Sequence, residues 1–353
     1  MQKKVVIVGG GFAGSTAARK LENDFDVALI DTKDYFEFTP SVLRTIVEPK
    51  HIKKIQSLHK DYLNRAIIVK GDVKGVNKKC VIVSKNKFPY DYLVICSGSE
   101  YNLPMKGKSS VAAARASMLA KYANKLKSSK SVLIIGGGLV GVELAAEIIE
   151  KYPSKEVTIA HGNNELIERN PKKAREYAKK FLEKRKVKII FNEFIIRNKG
   201  NIYTTDKKTQ IKADLAFLCT GIKPNYRCMS KGFSYCLNER KAIIVNEYLQ
   251  VKGFSNVFAA GDITDVREEK TAQNAEKQAE VVVKNIFNLE KGKALEKYLS
   301  KPRIMVISLG KWHGILVYKN FVLTGQIPGI LKGLIELKEM TKYRNAVFRK
   351  KVT

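Results

Sequence analysis

The chain has 353 residues, 44% of them apolar, so it is long enough for two or three packed units with sizeable cores. Its 65 lysines and arginines outnumber its 34 acidic residues by 31, which favours anionic partners such as lipid headgroups or nucleic acid, or simply keeps the surface soluble. Apolar runs of strand length predict neither a membrane-spanning helix nor a secretory signal. We therefore expect an intracellular protein, cytoplasmic or held peripherally on the cytoplasmic face of a membrane.

The first predicted element is the strand VVIV, which runs directly into a glycine loop. Gly9, Gly11 and Gly14 form GxGxxG, in which the glycines allow a tight turn, close approach of a pyrophosphate and packing of helix on strand. The next strand, DVALID, ends in Asp31, where an acidic side chain accepts the ribose hydroxyls of an adenosine. An aspartate that caps the following turn is the plainer alternative. This stretch predicts a dinucleotide site.

The same design returns in the second part of the chain. Gly136, Gly138 and Gly141 repeat GxGxxG after VLII, and each unit closes with a matching strand, DYLVICSG at 91–98 and DLAFLCTG at 214–221. A β-rich stretch before each closing strand predicts an inserted meander. The sequence therefore predicts an α/β fold with two doubly wound Rossmann-like units, each for one dinucleotide, and a C-terminal region of β-strands and an amphipathic helix.

The second unit lacks the acidic residue that selects NAD. Its strand EVTIAH ends in His161, and Arg169, Lys172 and Lys173 follow, but nothing in the sequence fixes them near a 2′-phosphate. NADH and NADPH both stay open as the nucleotide.

The five cysteines are Cys80, Cys96, Cys219, Cys228 and Cys236, without a CxxC pair or a metal-ligand spacing. This pattern predicts reduced thiols and no metal site.

A further apolar strand, within 245–266, ends in Gly261 and Asp262. Here the chain resembles the flavoproteins with two dinucleotide-binding domains, in which the aspartate of such an element binds FAD. The segments FTPSVL, GGGLVGVELAAE, TGIKPN, FAAGD and TAQNAEKQAEVVVKNI resemble type II NADH dehydrogenases and their apoptosis-inducing-factor-like, ferroptosis-suppressing quinone reductase relatives, in the right order and over essentially the whole chain. The resemblance implies FAD and NADH or NADPH as cofactors.

The resemblance also implies a set of binding residues and a domain division. Contacts to FAD are implied for Gly9, Gly11, Gly14, Asp31, Lys33, Thr39, Pro40, Val73, Gly98, Asp262, Ala272 and Gln273. Contacts to the nicotinamide nucleotide are implied for Gly136, Gly138, Gly141, Glu143, His161 and Gly221. The expected domains are a discontinuous FAD-binding domain of 1–108 and 224–300, an NAD(P)H-binding domain of 109–223 and a C-terminal interface or membrane-association region of 301–353.

Three residues are implied as catalytic: Glu143, Gln273 and Lys277. The resemblance places Glu143 where flavin and nicotinamide stack, so its carboxylate would position the nicotinamide and relay protons, although the helix dipole alone also favours a first-turn glutamate. Glu147, one turn later, is interpreted as a surface or capping residue. TAQNAEKQ resembles an AQxAxQ element that borders a quinone channel, and Lys277 stands where the second glutamine is expected.

The predicted function is that of a non-proton-pumping NAD(P)H:quinone oxidoreductase, in which hydride passes from NAD(P)H to FAD and electrons then reach a membrane quinone. Disulfide chemistry is excluded because DYFEFTPSVLRTIVEP, the region that would carry the redox pair, has no cysteine. The alternatives are a soluble NAD(P)H oxidase or a ferredoxin- or rubredoxin-type reductase. A sulfide:quinone oxidoreductase using Cys228 and Cys236, or a basic flavoprotein docked on nucleic acid, is less favoured, and nucleic acid is an unlikely partner.

The C-terminal stretch from Gly329 predicts an amphipathic helix. Its apolar side would hold Ile330, Leu331, Leu334, Ile335 and Leu337, and its polar side Lys332, Glu336 and Glu339. Basic residues outnumber acidic ones here, namely Lys332, Lys338, Lys342, Arg344, Arg349, Lys350 and Lys351. This predicts docking on an anionic membrane surface. A homodimer interface, implied by the resemblance, and an ordinary core helix are the alternatives.

Overall fold

The structure is a computed structural model that describes residues 2–102, 104–106, 110–229 and 233–344. The predicted α/β fold with two doubly wound units is confirmed. The first stretch of chain contains β1 (Lys4–Val8), α1 (Phe12–Leu21), β2 (Asp26–Asp31), β3 (Tyr35–Glu37), α2 (Arg44–Val47), α3 (Ile52–Ile55), β4 (Gln56–Leu58), α4 (His59–Tyr62), β5 (Ile67–Lys70), β6 (Val73–Val76), β7 (Cys80–Val83), β8 (Asn86–Pro89), β9 (Tyr92–Ile95) and β10 (Ser99–Glu100).

The second stretch repeats this plan. It contains α5 (Ala112–Ser128), β11 (Ser131–Ile135), α6 (Leu139–Lys151), β12 (Glu156–His161), α7 (Lys172–Glu183), β13 (Lys188–Phe191), β14 (Ile195–Lys199), β15 (Ile202–Thr205), β16 (Gln210–Lys212), β17 (Leu215–Leu218) and β18 (Lys223–Pro224). The chain then returns through β19 (Val257–Ala259) and α8 (Ala272–Glu290), and ends with β20 (Met305–Leu309), β21 (His313–Tyr318), β22 (Phe321–Gly325) and α9 (Gln326–Thr341).

Two parallel sheets organise the molecule, in the orders β19-β9-β1-β2-β5 and β13-β12-β11-β17. Their glycine-loop strands, β1 and β11, lie in the interior of each sheet and are continuous apolar runs, as expected for strands that helices cover on both faces. Both predicted meanders are present as three-stranded antiparallel sheets, β6-β7-β8 and β14-β15-β16. Because β19 returns to pair with β9, the first unit is discontinuous in sequence. The proposed domain boundaries stay a prediction.

The third glycine of each loop packs the following helix against its strand. A side chain on Gly14 would overlap the carbonyl oxygen of Gly9, and one on Gly141 would overlap that of Gly136. The backbone of each helix therefore comes closer to the loop than any other residue would allow. This shared geometry confirms that the two units are built alike at their dinucleotide loops.

The C-terminal region consists of the antiparallel sheet β20-β21-β22, with α9 packed against β20 and β21. Just beyond α9, Tyr343 is fully buried and stacks on Phe36, with ring centroids 3.8 Å apart. Ser57 Oγ donates to the carbonyl oxygen of Tyr343 at 2.8 Å. The end of α9 is therefore fixed to the first unit.

The orientation of α9 corrects part of the sequence prediction. Its charged residues Lys332, Glu336 and Glu339 face the protein, together with Leu331, Ile335 and Met340, whereas four other apolar residues face solvent. Ile327, Ile330, Leu334 and Leu337 are 67%, 52%, 57% and 62% exposed. We call these four residues the α9 apolar stripe. Lys332, Lys342 and Arg344 bind protein groups instead of facing outward, and Arg349, Lys350 and Lys351 lie outside the described residues.

Within the described ranges, every helix is either too short or too polar to cross a bilayer.

A buried ion pair joins the helix that opens the second unit to the first unit. Arg115 of α5 is fully buried and donates to both carboxylate oxygens of Glu37 in β3, at 3.0 Å each. It also donates to the carbonyl oxygens of Pro104 and Met105, at 2.7 and 3.0 Å. All of these acceptors would lose a partner if the guanidinium were removed.

We expect Arg115→Met to lower the free energy of unfolding by about 3–5 kcal/mol, because Glu37 would remain buried without its cation. The exposed Lys121 of the same helix supplies the control, Lys121→Met, which should change stability by no more than about 0.5 kcal/mol. Chemical denaturation of both variants measures the difference. Equal stability of the two variants would show that the pair does not hold the units together.

Candidate functional site

The first glycine loop leaves backbone donors open toward a large cavity. Gly9 has φ +99°, and a side chain there would overlap the carbonyl oxygen of Cys96. Gly11 is the N-cap of α1, makes no side-chain cap, and has no atom within 4 Å of where a side chain would begin. The free N–H groups of α1 and its dipole suit a phosphate at this position. The loop therefore fits the pyrophosphate of FAD.

Asp31 lies at the end of β2 beside this loop. Its carboxylate accepts from the N–H of Gly10 at 2.7 Å and from that of Lys33 at 3.0 Å. Burial alone would raise the pKa of Asp31, but the neighbouring imidazole of His59 and ammonium of Lys33 hold that pKa below its usual value. The side chain thus stays an anion that can accept ribose hydroxyls.

The cavity beyond the loop has a volume of about 1060 Å³ and is open to solvent. This is slightly above the usual range of about 300–1,000 Å³ for one drug-sized ligand, so a larger ligand such as a dinucleotide fits. Eleven of the twelve residues implied for FAD line it: Gly9, Gly11, Asp31, Lys33, Thr39, Pro40, Val73, Gly98, Asp262, Ala272 and Gln273. Gly14 does not, because it packs α1 against the loop.

Asp262 is held at the cavity wall by two donors. Ser99 Oγ donates to its Oδ2 at 2.6 Å and Lys106 Nζ to the same oxygen at 3.2 Å. The preceding Gly261 donates its N–H to Gln278 at 2.8 Å. The first residues of α8 line the same wall, and its N-cap Thr271 accepts from the N–H of Asn274. These contacts place a positive helix end beside the cavity, where it suits an anionic ligand.

The element after Thr271 differs from its sequence interpretation in one respect. Gln273 lines the cavity and donates to the carbonyl oxygen of Ile304 at 3.2 Å. Lys277 lies outside the cavity, exposed and paired with Glu280 at 3.0 Å. The buried glutamine of this stretch is Gln278, which supports Gly261 and Thr264. The apolar face of α8, including Val281, is buried, as expected.

The second loop has the same geometry, and the helix that follows it reaches the same cavity. Gly136 has φ +113° and approaches the carbonyl of Cys219, and Gly138, the N-cap of α6, is open. Gly221 has φ +95° and leads into Ile222, which lines the cavity. The first turns of α6 contribute the lining residues Leu139, Val140 and Glu143. Both dinucleotide loops therefore border the cavity, although Gly136, Gly138, Gly141, His161 and Gly221 are not themselves part of its lining.

Glu143, which lines the cavity, is held in place by several hydrogen bonds. Its Oε1 accepts from the N–H of Ser308 at 2.8 Å, from Ser308 Oγ at 3.0 Å and from Lys332 Nζ at 3.0 Å. Lys332 also donates to the carbonyl oxygen of Val306 at 3.1 Å. Glu143 and Lys332 are both largely buried and both line the cavity. The sequence interpretation missed this pairing, since it assigned Lys332 to the membrane surface.

Glu147 is buried, which corrects its interpretation as a surface or capping residue. Arg44 Nη2 donates to it at 2.9 Å and also reaches the carbonyl oxygen of Gly310 at 3.2 Å. Burial raises the pKa of Glu147, and the charge of Arg44 opposes this rise. The pair joins α2 of the first unit to α6 of the second, next to Glu143.

The cysteines lie in surroundings that disfavour thiol chemistry. All five are buried free thiols. Burial raises the pKa of Cys96 and Cys219 to about 12 and that of Cys228, which lines the cavity, to about 11. Such thiols are protonated at neutral pH and are poor nucleophiles. In the part of the chain that the structure describes, no three His, Cys, Asp or Glu side chains are grouped to hold a metal ion.

Two glycine loops that face one cavity define a flavin- and nicotinamide-dependent oxidoreductase of the two-dinucleotide class. A family model described as pyridine nucleotide-disulphide oxidoreductase matches residues 3–279, and the chain belongs to this family. It is an FAD-dependent NAD(P)H dehydrogenase.

Two curated relatives match over nearly their full length. Apoptosis-inducing factor homolog B of Dictyostelium discoideum is 34% identical over 348 residues, which cover 89% of each chain. Ferroptosis suppressor protein 1 of Homo sapiens is 33% identical over 359 residues, which cover 97% of this chain and 92% of that protein. These similarities agree with the family resemblance of the sequence motifs.

Solved structures confirm the fold. The sulfide:quinone oxidoreductase of Aquifex aeolicus superposes with a TM-score of 0.83 at 19% identity, covering 99% of this chain and 94% of that one. NDH2 of Plasmodium falciparum in complex with NADH has a TM-score of 0.83 at 16% identity, with coverage of 99% and 97%. At these identities the likeness concerns architecture alone.

We expect Glu143→Gln to slow NADH-driven bleaching of the bound flavin by about tenfold or more, because the neutral amide no longer balances the Lys332 ammonium at the cavity wall. Anaerobic stopped-flow absorbance measures the rate. Glu156→Gln, which changes an exposed carboxylate of the same unit, is the control and should leave the rate unchanged. The flavin content of both variants should equal that of the parent, and parental bleaching by Glu143→Gln would contradict a role for this carboxylate.

Proposed function

We propose that the protein is an NAD(P)H:quinone oxidoreductase that works at a membrane surface. The observation that carries this proposal is the position of α9. Its inner face, through Lys332, Ile335 and Glu339, lines the same cavity as the first glycine loop and the start of α6, while its outer face presents the α9 apolar stripe to solvent. An apolar acceptor that enters from a bilayer would therefore reach the cavity beside α9.

The overall reaction consumes one NAD(P)H, one proton and one quinone and yields NAD(P)⁺ and quinol. When bound, FAD supplies the capacity to accept a hydride and to pass on two electrons. Residues of the first loop, Asp31 and Asp262 would hold its diphosphate and ribose portions, and the start of α8 would lie near its ring. Glu143 would orient the nicotinamide at the wall formed by Leu139 and Val140.

The proton for quinol formation has a route beside Lys332. This side chain lines both the large cavity and a separate polar chamber of about 10 Å³, the space that one water molecule needs. The chamber is also lined by Arg44, Glu147, Ser308 and Glu336. We propose that this chamber passes protons to the cavity beside Lys332, whose ammonium group would hydrogen-bond the quinone oxygen.

Glu336, which lines the chamber, belongs to a second buried pair. His51 Nε2 lies 3.0 Å from Glu336 Oε2. Although burial would raise the pKa of Glu336, hydrogen bonds from His51 and Ser41 keep that pKa below its usual value. Glu336 is therefore an anion at neutral pH, able to accept hydrogen bonds from water and from His51. These two residues would complete the supply of protons from solvent.

The α9 apolar stripe fits an anionic bilayer. Four exposed apolar side chains on one helix face are unusual for a surface that meets only water. Trp312, 54% exposed, lies next to Gly329 at the start of α9, and Lys311 sits 4.8 Å from the indole ring. Exposed tryptophan with adjacent lysine suits the interface between acyl chains and headgroups. The net charge of +31 adds attraction to anionic lipid.

We expect the double variant Leu334→Glu/Leu337→Glu to lose at least about 90% of its turnover of a long-chain quinone embedded in anionic vesicles, because two carboxylates on the stripe oppose insertion. Turnover of a short-chain, water-soluble quinone should stay within about twofold of the parent, since the cavity is unchanged. Ile196→Glu is the matched control, because Ile196 is equally exposed but lies on the meander of the second unit.

Two outcomes would contradict the proposal. If the parent protein bleached with NADH but recovered only with oxygen or an added electron-transfer protein, the acceptor would not be a quinone. If the double variant retained vesicle turnover while sedimentation showed loss of a dimer, the α9 apolar stripe would be a homodimer interface instead of a membrane surface.

A further inference from the structure

The end of β12 carries a feature that the reaction described above does not use. In the first unit, the N–H of Gly10 donates to Asp31 Oδ2 at 2.7 Å. In the second unit, the N–H of Gly137 donates to His161 Nδ1 at 3.1 Å. The first glycine of each loop is also held by the neighbouring strand. The N–H of Gly9 donates to a carbonyl oxygen of β2, and that of Gly136 donates to a carbonyl oxygen of β12, both at 2.8 Å. His161 therefore occupies the place of Asp31.

The hydrogen bond from Gly137 fixes which nitrogen of His161 carries the proton. Because Nδ1 accepts, a neutral ring has its hydrogen on Nε2. His161 is only 9% exposed, and its Nε2 makes no hydrogen bond to the described residues. A buried donor without an acceptor is costly unless a ligand completes it. This buried N–H therefore lacks an acceptor, which a ribose oxygen of the nucleotide would supply.

The charge beside this donor comes from Glu168. Its Oε2 lies 3.6 Å from His161 Nε2, and its Oε1 accepts from Asn163 Nδ2 at 3.2 Å. A carboxylate here can accept a ribose hydroxyl but repels a 2′-phosphate. Glu168, seven residues after the end of β12, thus takes the place of the acidic group that this strand lacks.

The basic residues near this site are turned toward other carboxylates. Arg169 is 77% exposed and pairs with Glu269 at 3.3 Å, and Arg175 pairs with Glu165. Lys172 lies 3.9 Å from Glu176. Three basic residues that follow β12 were named from the sequence. Arg169 and Lys172 are paired with carboxylates, and Lys173 is exposed on α7.

The surface next to His161 also suits a nucleoside. Phe194 is 59% exposed, and its ring covers the backbone of Gly162, where any side chain would overlap it. An open aromatic ring beside a ribose site can contact the face of an adenine.

We propose that His161 and Glu168 form the 2′ subsite for the nicotinamide nucleotide, and that Glu168 makes the protein prefer NADH to NADPH. His161 donates to the ribose oxygen, and Glu168 accepts its hydroxyl. The preference is moderate, since the carboxylate is partly exposed to solvent and the imidazole itself does not repel a phosphate. This inference rests on nicotinamide nucleotide binding at the second loop, and it names the form of nucleotide that the loop selects.

The test measures binding alone. ADP-ribose and 2′-phospho-ADP-ribose are titrated by calorimetry into the flavin-loaded protein, the parent and its variants. The parent should bind ADP-ribose about three- to tenfold more tightly, as expected for one partly screened like-charge contact. Glu168→Gln should bring the two dissociation constants within about twofold of each other. Glu156→Gln, which removes an exposed carboxylate at the opposite end of β12, should keep the parental ratio.

A second variant distinguishes loss of the subsite from misfolding of the protein. His161→Asn keeps an acceptor for Gly137 and a donor beyond it, so ADP-ribose binding should survive with the parental preference. An unchanged ratio in Glu168→Gln, or tighter binding of 2′-phospho-ADP-ribose by the parent, overturns this proposal alone. Failure of the flavin-loaded parent to bind either compound overturns it together with the nicotinamide site on which it rests.

Discussion

The ion pair between Glu143 and Lys332 connects the three regions on which the function depends. Glu143 belongs to the helix that follows the second glycine loop, whereas Lys332 and Ser308 belong to the C-terminal region. That region is in turn fixed to the first unit by Tyr343. The wall on which the nicotinamide would lie is therefore held by the same helix that presents the α9 apolar stripe. A shift of α9 would disturb the ion pair that holds this carboxylate at the cavity wall.

Several other buried charge pairs lie between the units. Arg115 and Glu37 join α5 to β3, and Arg44 and Glu147 join α2 to α6. Buried ion pairs are a weak source of net stability, because the loss of hydration offsets most of the attraction. Their effect here is on geometry, since each pair fixes one relative position of two elements. Such rigidity is useful where a donor and an acceptor must approach one cofactor from different sides.

Much of the fold and part of the site could be predicted from the sequence. Glycine loops, strand-end acids and the AAGD element are local patterns whose geometry depends on neighbouring residues, so Asp31 and Asp262 were found at the cavity as expected. The two halves repeat the same pattern, which made the pair of dinucleotide sites predictable.

Other features depend on contacts between distant parts of the chain. Helical periodicity could not show which residues of α9 face the protein, because that depends on Glu143 and the sheet β20-β21-β22. Lys332 was therefore assigned to the wrong surface. Glu147 was misjudged for the same reason, since its partner Arg44 is 103 residues away. Lys277 was assigned to the catalytic site by a motif match, whereas α8 turns it away from the cavity.

The most direct test of the account is an anaerobic sequential-mixing experiment. The purified, flavin-loaded protein is first reduced with one equivalent of NADH, and a quinone is then injected while the oxidised flavin absorbance is followed. The account predicts rapid bleaching and a return of the oxidised band whose rate rises with quinone concentration. Bleaching without return on addition of quinone would contradict the assignment of a quinone as the electron acceptor.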